Sequence, residues 1–482
     1  MAGDYDLIVV GAGPGGSVAA KTAAEAGMRV LLLERSRVPG EKNVSGFGLT
    51  SKAYRDFPWL KEMELPSMRY CRKCVGHFLS PPPELAERIC LYSGTSSRTS
   101  YPEGREFFTV MMLRREFDEY LAGKAEQAGA ELRTLSLVTG LVRENGRVAG
   151  VLLEGGEEFR APVVIGADGV LSAVARLSGL REKWRPDEVV SVCCIDYAAS
   201  RERLDCVIDD AAFHGFFGPG IGGNYFMCMA EGVHLGGPGV GNSLISRLKR
   251  RRINPARELL ETIQAPSCRN LLKAVDAVPR EWQAHLLPWL DRMPTNIFGA
   301  GVMLVGDAAG LPEPIWAEGV WQAMYSGQLA AEVAREVVDE GDASHSSMRR
   351  YLDRLEAGPV GRDFIGGAQM RNLFELLGDV RVFGDLTEMM VDLFVSMFMN
   401  GQEVHAEAMS RFVPILAENL PVLMEVGRIY APVLLEMYSD TVREKVKMIK
   451  GLGAMLSGMS GMLGGSMGEG SGEAVQAGGE VR

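Results

Sequence analysis

The 482-residue sequence predicts an α/β protein in which a Rossmann-like nucleotide-binding domain is interleaved with an antiparallel sheet and followed by helices. Three observations predict this architecture. An apolar strand at about 5–10 runs into a glycine-rich turn, and residues 188–235 alternate glycine turns with β-branched and aromatic residues. The segment at about 345–450 has helical periodicity. A chain of this length can form two or three lobes.

The glycine-rich turn has the spacing of a dinucleotide cradle. Gly11 allows the tight turn, Gly13 lets the backbone approach a pyrophosphate, and Gly16 lets the helix pack closely on the strand. The helix begins near Pro14, so its N-terminus offers free N–H groups and a positive dipole end to phosphates. Glu34 ends the second strand, where a carboxylate can accept hydrogen bonds from an adenosine ribose. The cradle alone leaves NAD and FAD both open.

Composition excludes several classes of protein. The net charge of −11 argues against nucleic-acid binding, which needs a basic surface. Residues 1–35 already form a β-α-β unit, so we expect no N-terminal signal, and no apolar run is long enough to span a bilayer. Eight dispersed cysteines are typical of a reducing cytoplasm. The Cys71/Cys74 pair is open to three interpretations, half a metal site, a redox pair or ordinary thiols, and we predict no bound metal.

Two later motifs repeat the strand-turn-helix pattern. GADGVLSAVAR contains Asp168, and GVMLVGDAAG contains Asp307. Either aspartate alone could be a structural turn residue that caps a helix. Together with the cradle, in this order, they resemble the flavoprotein group that includes aromatic hydroxylases, geranylgeranyl reductases and electron-transfer-flavoprotein:quinone oxidoreductases. The resemblance implies that the nucleotide is FAD, in a domain of the glutathione-reductase type.

The resemblance also implies roles for particular residues. Asp307 would bind the ribityl chain, and the helix start after it would face the pyrophosphate, as would Asp168 and Gly169. Arg114 matches an arginine that touches FAD. The complete set of residues expected to bind FAD is Gly11, Ala12, Gly13, Pro14, Gly15, Gly16, Glu34, Arg35, Lys42, Asn43, Arg114, Val138, Asp168, Gly169, Gly306, Asp307, Ala308, Gly319 and Val320.

The segment PGEKNVSG, residues 39–46, indicates a branch of that group. It resembles the FixC-type flavoproteins, and further matches extend the resemblance over about residues 5–400. This implies an FAD-dependent oxidoreductase that takes electrons from an electron transfer flavoprotein and passes them to a quinone at a membrane surface. The flavin carries the redox chemistry, so we predict no catalytic side chain. No cysteine follows Cys268, so any iron–sulfur cluster would sit on a separate ferredoxin-like subunit.

One segment favours an alternative. Residues 311–321, LPEPIWAEGVW, with Pro314, Glu318 and Gly319, are closer to the geranylgeranyl reductases, which would reduce isoprenoid double bonds. Trp316 and Trp321 would either pack under the helix or line an apolar channel. A flavin monooxygenase and a subunit with purely structural FAD are further alternatives.

The predicted domains follow from these motifs. We expect a cytoplasmic protein, peripheral on the membrane if the Met-rich C-terminal segments touch lipid. The expected divisions are a discontinuous FAD-binding domain at 1–185 and 295–340, an antiparallel-sheet substrate domain at 186–294, a helical region at 341–450 and a flexible Gly- and Met-rich tail at 451–482.

Overall fold

A computed structural model describes residues 4–43, 45–79, 87–93, 109–218, 222–238, 254–315, 317–364 and 367. Contacts divide the chain into Met1–Asn419 and Leu420–Arg482, and the described residues all belong to the first unit. Within the described part of the chain, none of the helices has the length and apolar character needed to cross a bilayer.

The elements alternate between strands and helices in the first half of the chain and become helical from residue 306. In chain order they are β1 (Leu7–Val10), α1 (Pro14–Glu25), β2 (Val30–Leu33), β3 (Gly46–Thr50), α2 (Ser51–Asp56), a 3-10 turn (Pro58–Glu62), β4 (Arg69–Cys71), β5 (Lys73–Leu79), β6 (Glu87–Ser93), β7 (Thr109–Leu113), α3 (Arg114–Gln127), β8 (Glu131–Arg133), β9 (Val138–Glu144), β10 (Arg147–Leu153), β11 (Glu158–Arg160), β12 (Val163–Gly166), α4 (Ala173–Ser178), β13 (Val189–Ala198), α5 (Arg201–Ile208), β14 (Phe213–Gly218), β15 (Gly222–Cys228), β16 (Val233–Pro238), α6 (Pro255–Gln264), α7 (Pro266–Ala274), β17 (Val278–Pro288), β18 (Phe298–Gly299), β19 (Val302–Leu304), α8 (Gly306–Ala309), α9 (Val320–Asp339), α10 (His345–Met348), α11 (Arg350–Ala357) and α12 (Pro359–Phe364).

A six-stranded sheet in the order β18-β19-β12-β1-β2-β8 forms the first layer. Its strands are parallel apart from β18, which pairs antiparallel with β19. The continuous apolar runs LIVV, VLLL and VVIG are buried along their whole length, as expected for parallel strands covered on both faces. Helices α1 and α9 pack so closely that a Cβ on Gly327 would lie 2.1 Å from the Gly15 carbonyl oxygen.

A seven-stranded sheet in the order β17-β13-β16-β15-β14-β5-β6 forms the second layer. It is antiparallel except where β14 runs parallel to β5. This sheet therefore includes Lys73–Leu79 and Glu87–Ser93 as well as strands from the predicted 186–294, because β5 pairs with a strand from the later segment. Its own apolar core includes Phe213, Phe216 and Phe226.

Two smaller sheets complete the described part of the chain. The meander β9-β10-β11 lies between β8 and β12 in sequence, and β3-β7-β4 connects the first layer to the second sheet. Gly46 on β3 is in close contact with β16, since a Cβ there would meet Met229 at 2.6 Å and His234 at 2.9 Å.

The local predictions from the sequence can be compared with these elements. The strand at Val163 to Ile165 is confirmed as β12, and the helix predicted from Ser172 begins at the next residue with Ser172 as its cap. Helices α10, α11 and α12 occupy the start of the expected C-terminal helical region. The rest of that region and the tail at 451–482 lie outside the described residues, and the domain boundaries stay predictions.

Candidate cofactor site

The predicted motifs converge because their strands are neighbours. β2, β1, β12 and β19 are adjacent and parallel, so the residues after their carboxyl ends share one edge of the sheet. Backbone hydrogen bonds continue the ladder past the strand ends, from Ala167 N to Val10 O and from Val305 N to Gly166 O. The carboxyl edge of an open parallel sheet is where such folds bind ligands.

The glycines of the cradle after β1 are of two kinds, those in close contact with backbone atoms and one that faces open space. Gly11 has φ +101°, and a Cβ there would lie 2.5 Å from Ala167 O. A Cβ on Gly16 would lie 1.8 Å from Gly11 O, so this glycine serves helix packing. A Cβ on Gly13 would meet nothing within 4 Å. Helix α1 has Pro14 in its first turn and no side-chain cap, so its N–H groups are left for an anion. This open cradle fits a dinucleotide pyrophosphate.

Glu34 is held against the cradle by the backbone. Its Oε2 accepts a hydrogen bond from Ala12 N at 3.0 Å, and its Oε1 accepts one from Ser36 N at 2.8 Å. A carboxylate has about four lone-pair sites, so two bonds leave room for a ribose hydroxyl. The neighbouring Arg35 is exposed.

Asp168 has a structural role that the sequence left as one of two alternatives. Its carboxylate accepts hydrogen bonds from Ala173 N at 2.6 Å and Val174 N at 3.1 Å, and another from the Ser172 hydroxyl. Burial raises the pKa of Asp168, and these hydrogen bonds act in the opposite direction. Asp168 therefore accepts from the first two N–H groups of α4, beside the cap residue Ser172. A Cβ on the next residue, Gly169, would meet nothing within 4 Å, so the backbone there is open to a ligand.

Arg114 lies in a network at the start of α3. Its guanidinium contacts the carboxylate of Asp118 through Nε and Nη2, both at 3.1 Å. The Asn43 side-chain amide donates to the same carboxylate at 2.9 Å. Asp118 is only 1% exposed, so it needs both partners. Asn43 and Arg114, from two different motifs, therefore share Asp118 as a partner. Lys42 is exposed, and Val44 lies outside the described residues.

Asp307 stands in the first turn of α8. Burial raises its pKa, and the charges of Arg114 and His285 lower it. His285, on β17, is a neighbour of Asp307 that no sequence motif indicated, because its strand belongs to the second sheet. Gly319 packs against Asp307, since a Cβ there would lie 3.2 Å from Oδ1. Gly306 N donates to Ser326 Oγ at 3.0 Å, which fixes α8 on α9.

The remaining predicted positions surround this point. Ala308 is buried, and its carbonyl accepts a hydrogen bond from Arg181 Nη2 at 2.7 Å. Gly319 and Val320 form the start of α9, which also lacks a side-chain cap. Val138 is 4% exposed and belongs to the main apolar core, so its described role is packing.

The loop before α9 is pinned at both ends. Glu313 N donates to the Glu318 carbonyl at 2.8 Å, and Ala317, at φ +58°, donates its N–H to the Glu313 carbonyl at 3.1 Å. Trp289 Nε1 donates to Pro314 O at 2.7 Å. Trp321, in the first turn of α9, is fully buried. Trp316 lies outside the described residues.

The cysteine pair does not form a metal site in the described structure. Cys71 and Cys74 are buried free thiols, and burial together with Cys71 raises the pKa of Cys74. Among the described residues, no three His, Cys, Asp or Glu side chains converge in a way that could hold a metal ion.

The fold and the cradle define an FAD-dependent oxidoreductase. Residues 6–184 match the model of the FAD dependent oxidoreductase family. The chain is 32% identical to digeranylgeranylglycerophospholipid reductase 1 of Methanopyrus kandleri over 73% of its own length and 86% of the relative's. It is 29% identical to digeranylgeranylglycerophospholipid reductase 2 of Methanococcoides burtonii, over 78% and 85%. The chain belongs to the family of these reductases.

A solved structure shares the fold. The geranylgeranyl bacteriochlorophyll reductase-like protein of Thermoplasma acidophilum matches with a TM-score of 0.65 at 23% identity, covering 89% of this chain and 98% of that one.

These relatives overturn the main functional prediction. Electron transfer from an electron transfer flavoprotein to a quinone is wrong, because the relatives that match over most of their length are named as reductases of a geranylgeranyl lipid. The KNVSG segment pointed to the wrong branch; in the structure its Asn43 donates a hydrogen bond to Asp118, to which Arg114 also donates. The expected partners, an electron transfer flavoprotein and a ferredoxin-like subunit, derive from that prediction alone.

Proposed function

We propose that this protein reduces carbon–carbon double bonds of a geranylgeranyl-type isoprenoid lipid, with FAD as its redox cofactor. The observation that carries the proposal is the 32% identity that extends over 86% of a digeranylgeranylglycerophospholipid reductase. The Pro314, Glu318 and Gly319 pattern in the loop before α9 supports it, since the sequence there already favoured this branch.

In this proposal, different residues at the sheet edge bind different parts of the cofactor. Glu34 would take the adenosine ribose, and the open backbone at Gly13 and Gly169 would take the pyrophosphate together with the α1 N-terminus. Asp307 would bind the ribityl chain. When bound and reduced, FAD supplies a hydride to one carbon of a double bond. The sheet order and the inserted β9-β10-β11 meander support a domain of the glutathione-reductase type.

The protein's own contribution is to orient the substrate and to exclude water. The loop residues Glu313, Pro314 and Glu318 are held by backbone hydrogen bonds and by the Trp289 hydrogen bond to Pro314 O, so they can present a fixed surface beside Asp307. Arg114 places a positive charge near the same carboxylate. Since the proposed substrate is a lipid, we also propose that the protein acts at a membrane surface.

Product mass tests the proposal directly. The purified protein is reconstituted with FAD, reduced with dithionite and incubated with digeranylgeranylglycerophospholipid in detergent. We expect products heavier by H2 for each double bond reduced, detected by liquid chromatography and mass spectrometry. Boiled protein and protein-free reduced FAD are the controls. A protein whose bound FAD is reduced but which leaves the lipid unchanged contradicts the proposal.

A further inference from the structure

A buried charged cluster lies next to the loop that precedes α9. Lys52, on α2, is 8% exposed, and its Nζ lies 3.4 Å from the ring centroid of Trp321. The same Nζ lies 3.7 Å from Oδ2 of Asp363, which is 7% exposed. Asp56 accepts a hydrogen bond from the Trp321 indole at 2.9 Å. Burying a lysine is costly, so such a cluster calls for a reason beyond packing.

Glu318 is the loop residue that interacts electrostatically with this cluster. The charges of Lys52 and Asp363 both act on its carboxyl, in opposite directions. Glu318 is half-buried, and no described side chain or backbone N–H donates a hydrogen bond to its carboxyl oxygens. Its backbone is fixed on both sides, because Glu313 holds its N–H and its carbonyl. The carboxyl is therefore placed firmly but left without a hydrogen-bond partner in the described structure.

The backbone at this point is strained in a way that favours a functional role. Ala317, directly before Glu318, has φ +58°, a left-handed conformation that a residue with a Cβ adopts at a cost of about 1–2 kcal/mol. Such strain persists where the surroundings impose it, and it clusters at active sites. Gly319, directly after Glu318, packs on Asp307. Glu318 is thus the chain neighbour of a residue that packs on the carboxylate proposed to bind the ribityl chain.

We propose that Glu318 is the acid that protonates the lipid during double-bond reduction, with Lys52 and Asp363 as its positioning partners. This inference rests on the proposed function. Bound and reduced FAD would supply a hydride, whose electron pair would form the first C–H bond at one carbon. The π pair of the double bond forms the second C–H bond with the Glu318 proton, whose O–H pair stays on the carboxylate. Glu318 then regains a proton from water, and an external reductant such as dithionite restores the reduced cofactor.

The surroundings suit Glu318 to this task. Burial raises the pKa of Glu318 to about 7, with Lys52 opposing and Asp363 reinforcing the rise. A general acid works best when its pKa lies near the operating pH, because enough of it is then protonated and it is still acidic enough to donate the proton. After the transfer, Lys52 stabilises the carboxylate that is left. Lys52 therefore faces a neutral carboxyl before the proton transfer and a carboxylate after it.

Infrared difference spectroscopy tests the protonation without any turnover. On the FAD-loaded protein, we expect a C=O stretch of a protonated carboxyl that disappears as pH rises through about 7. Glu318→Gln should remove this band, and Glu318→Asp should keep a titrating band at shifted pH. Glu332→Gln, at an exposed glutamate on α9, is the matched control and should leave it intact. A wild-type protein with no such band, or a band that survives in Glu318→Gln, overturns the inference.

Turnover then separates the inference from the proposed function. In Glu318→Gln we expect FAD binding to be retained and saturated product to fall about 100-fold or more, the usual worth of a general acid. Glu332→Gln should match the wild type. Glu318→Asp, which keeps an acid, should recover part of the activity with a shifted pH profile. An active wild type with an equally active Glu318→Gln contradicts the inference alone. A wild type that makes no saturated product contradicts the proposed function, while the infrared titration still reports on Glu318.

Discussion

Replacing Gly13 with alanine should weaken FAD binding while leaving the fold of the protein intact. A Cβ at this position meets no protein atom within 4 Å, and the backbone at φ −76° and ψ −174° is ordinary extended chain. Gly13 is also the N-cap of α1, where alanine is a poorer cap than glycine, so the cofactor-free protein should lose less than about 1 kcal/mol of unfolding free energy. The methyl group projects into the space that the pyrophosphate needs.

The expected loss of affinity follows from the hydrogen bonds at stake. Moving the pyrophosphate away from the α1 N-terminus weakens one charge-assisted hydrogen bond, which contributes about 1.5–3 kcal/mol. That corresponds to a rise of roughly 10- to 150-fold in the Kd for FAD. Gly16→Ala is the contrasting variant. Its Cβ would lie 1.8 Å from the Gly11 carbonyl oxygen, so it should destabilise the cofactor-free protein itself.

Two assays separate these effects. Quenching of flavin fluorescence gives the Kd for FAD, and urea denaturation of the cofactor-free protein gives the unfolding free energy. Unchanged FAD affinity in Gly13→Ala would refute the placement of the pyrophosphate in this cradle. A large loss of stability in that variant would refute the claim that the space beside Gly13 is open.

Three further predictions concern the supporting contacts. Asp168→Ala should cost about 1–2 kcal/mol in urea denaturation because the Ala173 and Val174 N–H groups at the start of α4 lose their acceptor, with little change in FAD affinity; a large loss of affinity at unchanged stability would contradict this structural role. Arg114→Ala should cost about 3–5 kcal/mol by leaving Asp118 buried without its cation, and adding Asp118→Ala should recover part of the loss; additive losses would contradict this coupling. Burial lowers the pKa of His77 to about 4 and that of His214 to about 3, so both are neutral in the folded protein and bind protons on unfolding below about pH 6.5. Unfolding free energy measured against pH should therefore fall as pH drops from about 6.5 to 4, and a pH-independent stability over that range would contradict the neutral pair.

The sequence was sufficient to predict that the cradle and the Asp307 motif meet at one edge of the sheet, because each motif is a local pattern at the end of a strand. Gly11, Gly13 and Gly16 follow one strand, and Asp307 opens the helix after another. Once the strands are read as parallel neighbours, these residues must meet. The covalent order of strand, turn and helix therefore carries most of the information about the cradle.

Contacts between distant segments could not be predicted in the same way. Lys52 meets Asp363 across more than three hundred residues, and His285 reaches the surroundings of Asp307 from the last strand of the second sheet. No periodicity links such pairs. The parallel pairing of β5 with β14 likewise enlarges the second sheet without a local signal.

The sequence motifs did not indicate the substrate, for a related reason. The cradle is proposed to bind the cofactor and Asn43 of the KNVSG segment donates a hydrogen bond to Asp118, so neither motif reports what the electrons finally reduce. Only the loop at 311–321 differed between the two branches, and its Pro314, Glu318 and Gly319 pointed to the reductase. Sequence likeness over most of the relatives' length favours the reductase branch, which the shared motifs did not distinguish.

The most direct test of the central claim is the mass of the lipid after incubation with the reduced, FAD-loaded protein. Reduction of isoprenoid double bonds predicts digeranylgeranylglycerophospholipid products heavier by successive additions of H2, dependent on both FAD and reductant. A lipid of unchanged mass, recovered from protein whose FAD is demonstrably bound and reduced, would contradict the account.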